Sequence, residues 1–435
     1  MKRIFFTFLA LLLCLTTLVG CRDEEAVWND DFAKTEVRNW FEQGLYPTKF
    51  GDKMGYIDKT GKVVIEPTFD AAFPFDESGL AIVSADGKYG FIDTTGQLVI
   101  EAKYIDVGRF YGSEFAPVCP DTKEKKWGYI DKTGKMVIEP KYDNAGTFGK
   151  DGLAYVWLSE ENKGAYIDTA GKYVISPQSF RGEPFQPNGL AKIDKGYGEV
   201  FYGVVNRSGK IVIPMKYDEL RDFTKNGLAA AKFDEKWGYL NTKGKVVIDF
   251  QFEEATNFLD NGIALIKKDG LWGAVNESGV FAIEPKYDDL TWSSSSEVGA
   301  FRIGEKVGLI DKSGTYIFEV SDSLVRSLGY DLFAMSVNRG WQLIDKTGKA
   351  IGEPITVGVG EFSENGLADI HVGEKIGFID TTGKVVIEPE FDAYYPFDCN
   401  GLAAVQVDGK WGFINETGEV VIEPIYEDFY LYCTK

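Results

Sequence analysis

With 67 acidic residues against 47 basic ones, this 435-residue chain has a formal charge of −20, which argues against a general nucleic-acid binder, because a phosphate backbone needs a basic face to displace its counterions. It is 44% hydrophobic and 14% aromatic, enough to bury a core and too much for a disordered acidic tail. Its 49 glycines carry no collagen period, and 22 tyrosines and 31 phenylalanines beside 5 methionines read as a turn-rich β protein.

Residues 1–20 read as a targeting segment. Lys2 and Arg3 form a positive start, and Ile4 to Val19 is an apolar stretch too short for a comfortable membrane span. The run Leu18-Val19-Gly20-Cys21 resembles the lipobox of bacterial lipoproteins. That resemblance implies cleavage before Cys21 and acylation of its thiol. Each buried methylene contributes about 0.8 kcal/mol, so two or three acyl chains would hold the protein on a membrane without a transmembrane helix. Loss of Lys2 and Arg3 takes the charge from −20 to −22. Cys14 leaves with the signal, so Cys119, Cys399 and Cys433 remain, an odd and scattered set with no metal-ligand spacing. They read as semi-buried thiols, and the sequence does not say whether any two pair.

Residues 21–43 form a lipidated tether. Arg22-Asp23-Glu24-Glu25 is polar, and an acid cluster beside the acylated cysteine suits a sorting signal. Val37, Trp40 and Phe41 then recur at helical spacing, which predicts a short capping helix from about Asp31 to Gln43.

From Gly44 to residue 435 one unit repeats. Its marker is Asp or Asn, two variable residues and glycine, ending at Gly61, Gly96, Gly134, Gly171, Gly209, Gly244, Gly279, Gly314, Gly348, Gly383 and Gly418, at intervals of 34 to 38 residues. Such a period signals a solenoid, a propeller or a related array. The acid or amide can accept a hydrogen bond from the backbone two residues on, and the glycine can close a type I turn with a bulge, so each marker predicts a β-hairpin. An aliphatic residue always precedes it, from Ile57 to Ile414, and isoleucine stands four residues after the glycine in nine units, the exceptions being Phe318 and Gly352. A triplet such as Gly227-Leu228-Ala229 marks a further strand. Before it stands Glu-Pro and then Tyr-Asp or Phe-Asp, where proline is expected to end the ladder. The unit therefore reads as a three-stranded antiparallel meander, with a short fourth strand near Phe73 to Phe75 as an option, and must stack on its neighbours.

Trp127-Gly128, Trp237-Gly238, Trp272-Gly273 and Trp411-Gly412, each leading through two apolar residues into the turn, resemble the WG (KWG) repeat of bacterial proteins. The resemblance implies an extracytoplasmic module, and it spans essentially the whole chain past the tether. Six units depart at the tryptophan position (Met54, Tyr89, Gly164, Tyr202, Val307, Ile376) and two at the glycine (Ala165, Gln342).

The expected fold is thus all-β, with eleven tandem units of about 35 residues. A closed ring of eleven exceeds the four to eight blades usual in propellers, so an open spiral and a split within residues 291–362, where Ser293 to Ser296 is polar and the Glu-Pro-Tyr-Asp pattern is lost, stand beside it as equals. The negative charge, spread over turns and Glu-Pro segments, reads as a solvated outer face.

For function, the repeated tryptophans read as core rather than a sugar-stacking ladder. The turn acids read as hydrogen-bond acceptors rather than calcium ligands, since each turn offers one carboxylate or amide. His371, the single histidine, has no recognisable partners and reads as a strand-edge side chain. Phe73-Pro74-Phe75 and Tyr395-Pro396-Phe397 read as hairpin packing. No nucleophile elbow, phosphate loop or zinc motif is present, so no catalytic residue, metal or cofactor is assigned. Irregular connections such as 121–126 and 159–163 are the better places for specificity. The expected function is a lipid-anchored, non-catalytic binding or scaffold protein of the bacterial envelope, facing a protein or glycan partner and no nucleic acid. Its alternatives are a propeller-like enzyme with paired carboxylates and a plain spacer.

Overall fold

A computed structural model describes residues 44–195, 201–292, 296–321, 323–338, 340–398 and 400–426. The signal, the tether with its expected helix, Cys21, Cys399, Cys433 and most of the serine tract lie outside the described residues. Among these residues there is no helix, and eleven meander units follow one another.

Unit 6 shows the pattern. Its strands are a (Glu219–Leu220), b (Leu228–Phe233), c (Lys236–Asn241) and d (Val246–Phe252), hydrogen-bonded in the order a-b-c-d. A fourth strand is therefore real but earlier than expected: in unit 2 it is Ala71–Ala72, and Phe73 to Phe75 begin the loop that follows. Unit 1 shows strands b, c and d only, and unit 2's strand d (Leu98–Val107) runs on to serve as strand a of unit 3, joining two units in one seven-stranded sheet. Residues 291–362 fall in units 8 and 9, the loops around them and strand a of unit 10.

Between strands c and d the expected turn forms. In unit 1, Gly61 N–H donates to Asp58 O at 2.9 Å, and the Asp58 carboxylate accepts from Thr60 N–H at 2.8 Å and from the Thr60 hydroxyl at 2.6 Å. The turn glycines all hold φ between 74° and 85°, the left-handed region that favours glycine. The proline, however, does not end the ladder. Pro67 lies inside strand d (Val63–Phe69), where two extra residues bulge between the pairs Met54↔Phe69 and Tyr56↔Ile65.

That bulge accounts for the glycine of Trp-Gly. A Cβ on Gly128 would stand 2.4 Å from Ile138 O, and one on Gly238 would stand 2.6 Å from Ile248 O. The two departures are compensated locally. Opposite Ala165 the bulge is one residue shorter, from Ile175 to Gln178, and the buried Gln342 amide donates to Ile351 O at 2.9 Å and to Gly352 O at 3.3 Å.

Packing runs between units. Strands b and c are buried on both faces, and the aliphatic residues before the turns, such as Ile57, Ile130 and Leu240, are fully buried. Eleven apolar clusters sit one at each junction. The turn glycines are seated on strand-d side chains of the preceding unit, as Gly96 on Ile65, Gly134 on Ile100, Gly244 on Ile213 and Gly348 on Phe318, except Gly383, which meets Leu343 of strand c. Gly61 of unit 1 is seated on Ile422 of unit 11 in the same way. Strands Leu45–Phe50 and Val420–Tyr426 touch there, Phe50 meets Tyr426 edge-on at 5.4 Å, and Tyr46 donates to Asp398 at 2.9 Å. The array closes on itself, which the phase of the repeat alone did not decide.

Buried tyrosines on strand c bind the next unit by hydroxyl as well as ring. Tyr56 donates to Phe73 O at 2.8 Å, Tyr129 to Gly146 O at 2.7 Å and Tyr239 to Thr256 O at 2.7 Å. Replacing Tyr239 by Phe should cost about 1–2 kcal/mol in urea unfolding, since the carbonyl loses its partner while ring packing stays. Gly238→Ala should cost more, about 1–3 kcal/mol or above, because the added carbon meets backbone that cannot swing away.

Candidate functional site

The repeated polar groups are engaged in building the ring. Turn carboxylates serve their own loops: hydroxyls of Thr95, Thr133 and Thr347 hold Asp93, Asp131 and Asp345 below the usual aspartate range, with backbone N–H groups adding to the effect. The Asp after the Tyr or Phe of strand d clamps two units. Asp70 takes the Lys53 ammonium at 2.5 Å and the Asp86 N–H, from the b–c turn of the next unit, at 2.7 Å. Asp143 does the same with Lys126 and Ser159 N–H, and Asp392 with Lys375 and Asp408 N–H. The connection at 159–163 is thereby part of a clamp.

The aromatic positions follow the expectation of core in varying degree. Trp237 is buried, whereas Trp127, Trp272 and Trp411 are half-buried against junction clusters. Arg221 lies over Trp237 at 4.9 Å. Phe75 and Phe397 pack across junctions, on Tyr56 at 5.0 Å and Phe378 at 5.6 Å, rather than within their own hairpins.

Chemistry that does not repeat appears where the third residue of strand b turns polar. That residue faces the next unit and is apolar in most, as Ile82, Ala230, Leu265 and Ala404 show. In unit 5 it is Lys192, whose ammonium lies 3.3 Å from Glu183 and 3.4 Å from Asp222 of unit 6. Burial pushes the Glu183 carboxyl up against the opposing pull of Lys192. For Lys192 burial works to lower the ammonium, but the two carboxylates outweigh it and hold it above its ordinary value.

In unit 10 the polar residue is Asp369. Its carboxylate lies 2.8 Å from His371 Nε2 and accepts from Tyr394 of unit 11 at 2.9 Å. His371 is therefore not an isolated edge side chain. Residues two apart share a strand face, and the adjoining unit brings the tyrosine. Burial is the main cause that raises the Tyr394 hydroxyl, with Asp369 adding to it. Aligning the units on their Gly-Leu-Ala triplets would have exposed Lys192 and Asp369 as departures, whereas Tyr394 needed the stacking.

The a–b loops and c–d turns share one rim: a Cβ on Gly227 would meet Thr242 at 4.0 Å, and one on Gly401 would meet Glu416 at 3.6 Å. On this rim, between units 6 and 7, lies an open groove of about 330 Å³ lined by Thr224, Lys225, Asn226, Phe258, Leu259, Asp260 and Glu277. Lys225 reaches Asp260 at 3.3 Å and Asn226 reaches Glu277 at 3.1 Å across it. Among the described residues no three metal-ligating side chains converge. Cys119 is buried, with Sγ 3.9 Å from Pro120 O.

The family model described as "WG containing repeat" matches residues 54–89, 89–120, 127–156, 202–237, 237–272, 272–306, 376–411 and 411–432. No curated protein matches the chain. Among solved structures it is similar to a eukaryotic initiation factor at 12% identity, covering 72% of this chain and 96% of that one with a TM-score of 0.35. It is also similar to the dihydro-heme d1 dehydrogenase NirN in complex with DHE, at 14% identity, 72% and 73% coverage and a TM-score of 0.30. A third is the extracellular domain of the hybrid two component system BT3049 from B. thetaiotaomicron, at 11% identity with a TM-score of 0.26; this chain is covered over 87% and spans 63% of that one. Likenesses this distant do not bear on activity.

The depressed turn aspartates set an acid limit. A carboxyl whose folded pKa lies below its ordinary 3.8 adds stability that is complete above that value and is lost as pH falls through the lower, folded value. Thermal unfolding followed by circular dichroism should show a plateau above about pH 5 and a steep fall below about pH 4. Asp93→Asn, Asp131→Asn and Asp345→Asn together should flatten that fall, because asparagine keeps the turn and does not titrate.

Proposed function

Because the chain belongs to the WG containing repeat family, whose model matches more than half of its residues, we propose that it is a lipid-anchored, non-catalytic binding or scaffold protein of the bacterial envelope. Acylated Cys21 holds it to the membrane and the ring presents a rim to a protein or glycan partner. The observation that carries this reading is the division of labour between repeated geometry and open surface. Turn and clamp carboxylates and the strand-c hydroxyls are spent on intra-ring bonds, while the groove between units 6 and 7 combines the partly buried Leu259 with exposed Lys225, Asn226, Asp260 and Glu277. A few convergent polar groups around an apolar floor is the make-up of a recognition site.

Two measurements test it. Cys21→Ser should move the protein from the membrane fraction to the soluble fraction; retention on the membrane would contradict the anchor. The wild-type chain, challenged with envelope extracts and a glycan array, should retain a partner that Lys225→Glu with Asp260→Lys loses at least tenfold at an unchanged unfolding temperature. Failure to retain any partner from intact envelopes and arrays, or equal retention by the variant, would overturn the binding assignment.

A further inference from the structure

Across the rim groove of about 330 Å³, Lys225 and Asn226 of the unit 6 a–b loop face Asp260 and Glu277 of unit 7, with Leu259 between them. Resting on the reading of this rim as a recognition surface, we propose that the groove takes a short carbohydrate segment without acidic groups.

The polar groups are held in place by the loops themselves. Asn226 Oδ1 accepts from the Thr224 hydroxyl at 2.5 Å and from Leu228 N–H at 3.0 Å. That fixes the amide with its nitrogen toward unit 7, where one N–H donates to Glu277 at 3.1 Å, and an amide has a second N–H to give. Lys225 adds an ammonium 3.3 Å from the Asp260 carboxylate. At the following junction the matching Asn261 donates to a backbone oxygen, Ser296 O, at 3.3 Å. Between units 6 and 7 Asn226 instead meets a side chain, and exposed side-chain pairs exchange partners at little cost.

This set of groups selects a ligand class. Two side chains that donate, Asn226 and Lys225, stand with two that accept, Asp260 and Glu277, around the partly buried Leu259 and the buried Phe258. A sugar ring presents the complement, hydroxyls that both give and accept beside patches of C–H. One ammonium is set against two carboxylates, so an acidic sugar is repelled more than it is drawn. A peptide has less to hold. Both loop backbones are closed on themselves, with Thr224 N–H on Leu228 O, Gly227 N–H on Thr224 O, Leu259 N–H on Ile263 O and Gly262 N–H on Leu259 O, which leaves side chains rather than a strand edge to receive it. At about 330 Å³ the space lies at the small end of ligand pockets.

Retention of the full chain on an array of neutral hexose and N-acetylhexosamine oligosaccharides, with uronic-acid oligosaccharides beside them, tests the assignment. Wild type should be retained by a neutral sugar and not by the acidic ones. Leu259→Asn with Glu277→Ala should weaken that retention by about tenfold or more at an unchanged unfolding temperature. Asn226→Asp, which keeps the loop's acceptor and removes the N–H donor, should weaken it likewise. Lys150→Ala, at the matching place in the a–b loop of unit 4, should bind as wild type does. Preference for acidic sugars, or equal retention by the groove variants, would overturn the proposal. So would an array that retains nothing, and the two readings then separate: if Lys225→Glu with Asp260→Lys still loses a partner taken from envelope extracts, the recognition surface stands and the carbohydrate assignment alone falls.

Discussion

Four short strands cannot cover both of their own faces, and the rest of this molecule follows from how that deficit is met. All but one of the turn glycines rest on a strand-d side chain of the unit before, usually an isoleucine, and strands b and c lie between two neighbours. Full burial of such an aliphatic side chain contributes about 1.5–3 kcal/mol, so a unit draws its stability from its junctions rather than from its own hairpins. A chain of such contacts leaves two uncovered ends unless it closes, and the seating of Gly61 on Ile422 removes both.

The repeated motif divides into parts with separate duties. Asp or Asn and the turn glycine shape the c–d turn, the glycine of Trp-Gly makes room for the strand-d bulge, and the Asp of Tyr-Asp ties that strand to the next unit. Where one part changes, its neighbours change with it. Ala165 comes with a shorter bulge, and Gln342 fills its bulge with an amide that bonds the exposed carbonyls. At Lys192 and Asp369 the change instead puts charge into a junction, and the adjacent unit answers with Asp222 and Tyr394.

Local features were legible in the sequence because they depend on residues a few places apart. The turn period, the aliphatic residue before each turn and the antiparallel meander follow from hydrogen bonding and chirality within about ten residues. The two-residue strand a was misplaced and the proline misread because the bulge that holds Pro67 is shaped by contact with Gly55 on another strand. The Tyr394–Asp369 bond was hidden for a related reason, since Tyr394 lies 25 positions onward and reaches Asp369 only through stacking. Closure joins residues more than 350 positions apart, and no local pattern encodes that.

A closed ring holds loops from every unit in fixed order along one rim, a suitable base for recognition by surface residues that the fold does not need. Spin-label distances between turns test the closure most directly. Lys59, Thr94 and Glu416 occupy the same position in the turns of units 1, 2 and 11. The ring predicts that the Lys59–Glu416 distance matches the Lys59–Thr94 distance, with one narrow distribution for each. A Lys59–Glu416 distance clearly longer than that between neighbouring turns, or a broad one, would contradict it.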